Sequence, residues 1–182
     1  MDEYRATGDL GTLIDRVRAI TEQLDPKQLA AATVPFRDMP EVIIPAYEYI
    51  VASCPADAQA MVILANAYWI TGRGPELVGS LATRAITADP ANRGGWHLWA
   101  LAEPDVRQRV RRWSRVAEQF PQDQLARAAL ADNAASLAGA EHDPAALDLA
   151  IHTYESLLAE SSQPAQRAAI ESTLGALRGW RL

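Results

Sequence analysis

An all-α chain is what this sequence predicts, and three observations carry the prediction. Alanine dominates the hydrophobic share, which is 49% of the 182 residues, while aromatics supply only 7%. Alanine is the best helix former and lets helix axes approach closely. Apolar residues recur at i, i+3, i+4 and i+7 along most of the chain. The β-branched runs and Asn-Gly turns of a sheet protein are missing. A chain of this length buries roughly 70% of its unfolded surface, as one domain or one short array.

The first predicted helix runs over 9–24, with Leu10, Leu13, Ile14, Val17, Ile20 and Leu24 on one face. Asp15, Arg16, Arg18 and Glu22 lie opposite. Asp25-Pro26 reads as a cap followed by proline in the first turn, opening a short helix that stops before Pro35. Asp38 is the expected cap of the next helix, with Glu41 placed to reach back to it. Ile43, Ile44, Tyr47, Ile50 and Val51 are its expected buried residues. Pro45 either delays the start of that helix or bends it. Ser53-Cys54-Pro55 closes it, with Cys54 as a half-buried spacer.

Residues 58–92 carry the clearest pattern. Met61, Leu64, Ala65 and Tyr68 form the stripe of one helix. Leu77, Val78, Leu81, Ala82, Ala85 and Ile86 form that of a second. Between them, Gly72 suits a left-handed helix end and Pro75 a first helical turn. Leu64, Ala65 and Tyr68 fall on the Leu-Gly-x-x-Tyr positions of the tetratricopeptide repeat (TPR), and Ala85 with Asp89-Pro90 on its Ala-x-x-x-Asp-Pro end. The unit thus resembles that family of helix–turn–helix modules, with Met61 in place of the motif's Trp and one extra residue in the turn. The resemblance implies hairpins stacked as an α-solenoid in a right-handed superhelix.

Further units match less closely. Trp96, Trp99 and Ala100 take the Trp, Leu and Gly places of a short repeat over 93–121, which turns at Glu103-Pro104. A long repeat over 122–163 places Leu130 and Ala131 on the Leu-Gly positions and Tyr154 at the large buried place of its second helix. Its surplus is expected as a loop over 139–144, and Gly139, Gly94 and Gly95 read as turn material. A last helix over 164–182 carries Ile170, Leu174, Leu177 and Trp180 and is expected to cap the array. With 1–56 as N-terminal helices and 57–92 as the best-matching repeat, 1–182 reads as a single TPR-like domain of degenerate repeats.

The net charge of −6 opposes general nucleic-acid binding, which needs many phosphate-neutralising side chains. Lys27 is the only lysine, and arginine with abundant alanine reads as the mark of a GC-rich bacterial genome. Cys54 is the only cysteine, so no intrachain disulfide forms. The N-terminal MDEYRATGDL lacks the basic-then-apolar order of a secretory signal. No apolar run approaches the ~20 residues of a membrane span, so the expected location is cytoplasmic.

No catalytic constellation stands out. His97, His142 and His152 make no zinc-ligand spacing, and no cofactor motif is present. The turn Glu141-His142-Asp143 offers weak metal-binding chemistry at most and reads as a solvated loop. The expectation is therefore a non-enzymatic protein–protein interaction module or assembly scaffold. By the resemblance, residues between the buried positions of each first helix line a concave groove. Here those are Gln59, Val62, Asn66, Trp69 and Ile70, then His97 and Leu101, then Leu125, Ala128, Asp132 and Ala135. This groove is apolar and slightly acidic, which suits an apolar or basic protein segment; Val62 stands where some family members carry a carboxylate-binding lysine. Arg107, Arg111 and Arg115 stack on the polar face of another helix and offer a patch for an acidic partner. The alternative is a helical small-ligand binder or enzyme with a pocket near His97, Trp96 and Trp99.

Overall fold

Short polar residues and prolines punctuate the chain, and the helices follow them. In the computed structural model, which describes residues 9–21 and 23–180, Asp25, Asp57, Asn92, Asp105, Asp123 and Asp143 each accept a backbone N–H from the first turn of the helix they open. Such caps satisfy donors that the helix itself leaves free, each contributing about 1 kcal/mol. Proline opens five helices, where its missing N–H costs nothing. Among the described residues the elements are α1 (Leu10–Thr21), α2 (Pro26–Thr33), a 3-10 turn (Val34–Phe36), α3 (Pro40–Ser53), α4 (Ala58–Ile70), α5 (Pro75–Ala88), α6 (Arg93–Leu101), α7 (Val106–Gln119), α8 (Gln124–Glu141), α9 (Pro144–Glu160) and α10 (Pro164–Arg178), with no strand. The fold class is all-α, built of TPR-like helical hairpins. Glu22 and the first eight residues, which carry the signal-peptide reading, lie outside the described residues.

The chain divides into two compact units, residues 1–102 and 103–182, the boundary falling inside the 93–121 segment. In the first unit α3 packs on α1, α2 and α4, and α5 packs on α4 and α6. Its core joins Leu13 and Val17 of α1, Leu29 of α2, the run Val42, Ile43, Ile44, Ala46, Tyr47, Ile50 and Val51 of α3, and Met61, Leu64 and Ala65 of α4. Val78, Leu81, Ala82 and Ala85 of α5 complete it with Leu98. In the second unit α8 packs on α7 and α9, and α9 on α10. Ala126, Leu130, Ala131, Ala134 and Leu137 face inward from α8, and Ile170, Leu174 and Leu177 from α10.

Several local expectations are corrected, and the alternative left open at Pro45 is decided. Asp38 does not cap α3: Met39 is the cap residue and makes no side-chain bond, because Pro40 opens the helix one position later. Pro45 does not delay that helix, which begins at Pro40 and continues through it. Leu77 is not buried but 49% exposed, since it falls in the first turn of α5 before the packed stripe begins. The surplus of the long repeat is helix rather than loop. α8 continues through Gly139 to Glu141 and ends at His142, which takes the left-handed conformation with φ 52°.

Gly94 and Gly95 are likewise helical, inside α6. A Cβ at Gly94 would lie 2.9 Å from Val62 Cγ1, and one at Gly95 3.3 Å from Ala85 Cβ. The missing side chains let α6 seat against α4 and α5 (a packing role rather than a turn). Gly139 is bare for a related reason, since a Cβ there would meet the Trp180 ring at 3.3 Å. Gly72, by contrast, takes φ +69° beyond the end of α4, where glycine carries no Cβ penalty.

Candidate functional site

α4 is apolar almost all round, because neighbours on several sides cover it. Ala58, Ala60, Met61, Leu64, Ala65 and Ala67 are buried, which leaves one row uncovered. Gln59, Asn66, Trp69 and Ile70 are exposed and Val62 is half-buried. Trp69 is 41% and Ile70 62% exposed, large values for residues of this size in a well-packed unit. Val62, Asn66 and Ile70 stand one turn apart and form one wall of a cavity of about 200 Å³. Ile63 and Ala67 of the same helix line it too, with Arg37, Pro40 and Ile43 from outside α4.

The chemistry of this groove is apolar with two polar groups. The Asn66 side chain carries both a donor and an acceptor, enough to hold a bound peptide unit. Arg37 is exposed just before α3, and its guanidinium has no carboxylate partner among the described residues. No acidic side chain lines the groove. The slightly acidic character expected of the longer groove came from Asp132, which lies in residues 103–182.

The remaining residues of the expected groove are placed differently. His97 is half-buried, and Leu101 packs against the core of the first unit. Asp132 accepts a hydrogen bond from the Tyr154 hydroxyl, so its carboxylate already serves α9. Burial, and then Asp132, raise the pKa of that tyrosine. Leu125 is 68% exposed near the start of α8, while Ala128 and Ala135 are half-buried.

Arg107 forms ion pairs with Glu141 and, at 2.9 Å, with Asp143. These bonds, Glu141 first, hold its guanidinium above the ordinary arginine pKa. They tie α7 to the α8–α9 turn, so Arg107 serves the hairpin's own acidic turn. Arg109 donates to Asn133 and to the Glu103 carbonyl, both at 2.8 Å, and Arg112 pairs with Glu103 at 2.6 Å. Arg111 and Arg115 remain exposed on the same helix. The Glu141-His142-Asp143 turn thus spends both carboxylates on Arg107, and among the described residues no group of three His, Cys, Asp or Glu side chains could hold a metal ion.

At the rival location the two indoles serve packing. Trp96 is 9% exposed, and its Nε1–H donates to the Pro90 carbonyl at 2.9 Å. Trp99 meets it edge to face, with ring centroids 5.6 Å apart, and packs against the core. The groove residues that sequence reasoning missed are Arg37, Pro40, Ile43, Ile63 and Ala67. Arg37 lies 25 or more residues from the α4 positions that line the same groove, and no local spacing announces such a pairing. Among the described residues no helix is long and apolar enough to cross a membrane.

Comparison with known proteins supports the fold. No family model and no curated protein sequence matches the chain. Solved structures similar in fold include two of like description. One, described as the crystal structure of MamA protein, superposes with a TM-score of 0.58 at 13% identity, covering 92% of this chain and 82% of that one. Another, described as the crystal structure of MamA, gives 0.54 at 15% identity, covering 79% of this chain and 90% of that one.

Proposed function

We propose that this chain is a non-enzymatic protein-interaction module of degenerate TPR-like repeats, working as a scaffold that holds a protein segment along α4. The observation that carries the reading is the uncovered row Val62, Asn66, Trp69 and Ile70 beside a groove walled by Arg37, Pro40 and Ile43. An exposed tryptophan and isoleucine next to a polar hydrogen-bonding group is the composition of a binding hot spot, where aromatic anchors dominate the energy. The groove's volume of about 200 Å³ is below the roughly 300–1,000 Å³ of a drug-sized ligand site, so it suits one side chain of a segment better than a whole small molecule. On this reading the module works in a bacterial cytoplasm, alone or as a subunit of a larger assembly.

The test is capture of partners by wild type and by Asn66→Ala and Trp69→Ala, with Gln122→Ala as a surface control. A hot-spot truncation costs about 2 kcal/mol or more, at least roughly 30-fold in affinity. Both groove variants should therefore lose the principal partner while keeping the wild-type melting temperature. Well-folded variants that recover it at wild-type levels would remove α4 as the binding face.

A further inference from the structure

The groove on α4 carries a charge that the rest of the molecule does not predict. The chain has a net charge of −6, yet the groove wall holds one cation, Arg37, and no carboxylate. Several arginines elsewhere in the described chain are spent on neighbours: Arg107 on Glu141 and Asp143, Arg112 on Glu103, Arg127 on Glu160, Arg178 on Glu155. Arg37 has no such partner among the described residues, and it lines the same groove as Asn66. The apolar part of the groove is small. A cavity of ~150 Å³ lined by aliphatic side chains takes up one benzene ring. About 200 Å³ lined by Ile43, Val62, Ile63 and Ile70 therefore holds one large apolar side chain.

From this complementarity we infer that the groove selects a peptide segment in which one large apolar residue is flanked by an acidic side chain. The apolar residue enters between α3 and α4, Asn66 holds a peptide group of the segment, and the acidic side chain meets Arg37. This rests on the protein-binding reading of α4 and adds the chemical class of its partner. It also reverses the preference that the sequence pattern implies, since a basic flank would face Arg37 with like charge. An exposed ion pair contributes little affinity, so the apolar anchor supplies the binding and Arg37 the choice of partner.

The experiment uses the full chain and an array of twelve-residue Gly/Ser peptides, each with a single Phe or Leu at its centre. The flanking positions carry Asp/Glu, Gln, or Arg/Lys. Wild type should prefer acidic over neutral flanks by about two- to fivefold, the worth of an exposed ion pair. Replacing the central Phe by Ser should cost roughly tenfold or more, the burial of one large apolar side chain. Arg37→Glu should keep its melting temperature and invert the preference toward basic flanks. Failure to bind any peptide, indifference to flank charge, or an unchanged preference in Arg37→Glu overturns the inference. Indifference to charge combined with loss of binding in Asn66→Ala and Ile70→Ser would leave the α4 groove standing and remove only the acidic selectivity. Charge-dependent binding that survives Asn66→Ala and Ile70→Ser would place the site elsewhere and sink both. Self-association of wild type that Ile70→Ser abolishes would assign the groove to a second copy of the chain and overturn the inference as well.

Discussion

Gly94 and Gly175 both lie inside helices, yet a methyl group added at each would meet opposite surroundings. At Gly94 it would press 2.9 Å from Val62 Cγ1, and at Gly175 nothing lies within 4 Å. Alanine in a helix interior is favoured over glycine by about 0.5–1 kcal/mol. Gly175→Ala should therefore raise stability by that amount. At Gly94 the same gain is outweighed by overpacking against a stiff β-branched side chain, which costs roughly 1–3 kcal/mol. Gly94→Ala should lower the urea midpoint, and Val62→Ala in the same chain should restore part of it. Additive effects in that double-mutant cycle would show that the two residues do not touch. Glycines are where the sequence was least legible, because a missing Cβ marks a turn and a close helix approach alike. A second residue-scale test concerns Tyr68, whose hydroxyl donates to Glu48 at 2.6 Å. Burial, then Glu48, push its pKa up from 10.0 to about 12. The folded chain thus holds this proton more tightly than the unfolded one. That contribution is intact below pH 10.0 and is lost as pH rises through about 12. Alkaline unfolding followed by circular dichroism should be less steep in this window for Tyr68→Phe.

Helix positions were more legible than their ends or their partners. The stripes of α4 and α5 follow directly from the i, i+3, i+4 pattern, and Met61, Leu64, Ala65, Val78, Leu81, Ala82 and Ala85 are all buried. The ends were harder to read. Asp38 and Glu41 have the spacing of a capping box, but Pro40 shifts the helix start and Met39 becomes the cap. The extra turn of α8 was invisible because Gly139 suggested a break, whereas Trp180 packs over it. At this scale the prediction concerns Ala85, fully buried and close to Gly95. Ala85→Phe should lower stability by roughly 1–3 kcal/mol through overpacking. Arg73, exposed in the α4–α5 turn, lies 5.9 Å from the centre of the Tyr68 ring. Arg73→Ala should cost no more than about 0.5–1 kcal/mol, the worth of an exposed cation–π contact. Equal melting temperatures for Ala85→Phe and wild type would mean that α5 packs in another register.

For the whole molecule, composition and periodicity were enough to predict an all-helical chain, while the division near residue 102 was not legible. Glu103-Pro104 reads as one more hairpin turn, and only the distribution of contacts separates residues 1–102 from 103–182. The first unit holds a continuous core from Leu13 to Ala102. A fragment comprising residues 1–102 should accordingly give a helical circular dichroism spectrum and a cooperative thermal transition. A spectrum without helical minima, or a featureless melt, would show that this core depends on the remaining residues. The groove was half legible: α4 supplied its own wall by spacing, but the rest of the lining came from residues that only folding brings near. The seam of α5 and α6 is built on Ala82, Ala85 and Gly95, which have no side-chain rotamers to lose on folding. Such a seam also gives the molecule a one-sided response to random change. At a leucine or tyrosine, substitution can remove volume that neighbours partly refill. At these positions almost every substitution adds atoms between helices already in contact, so error there acts as a wedge and leaves no void for the fold to relax into.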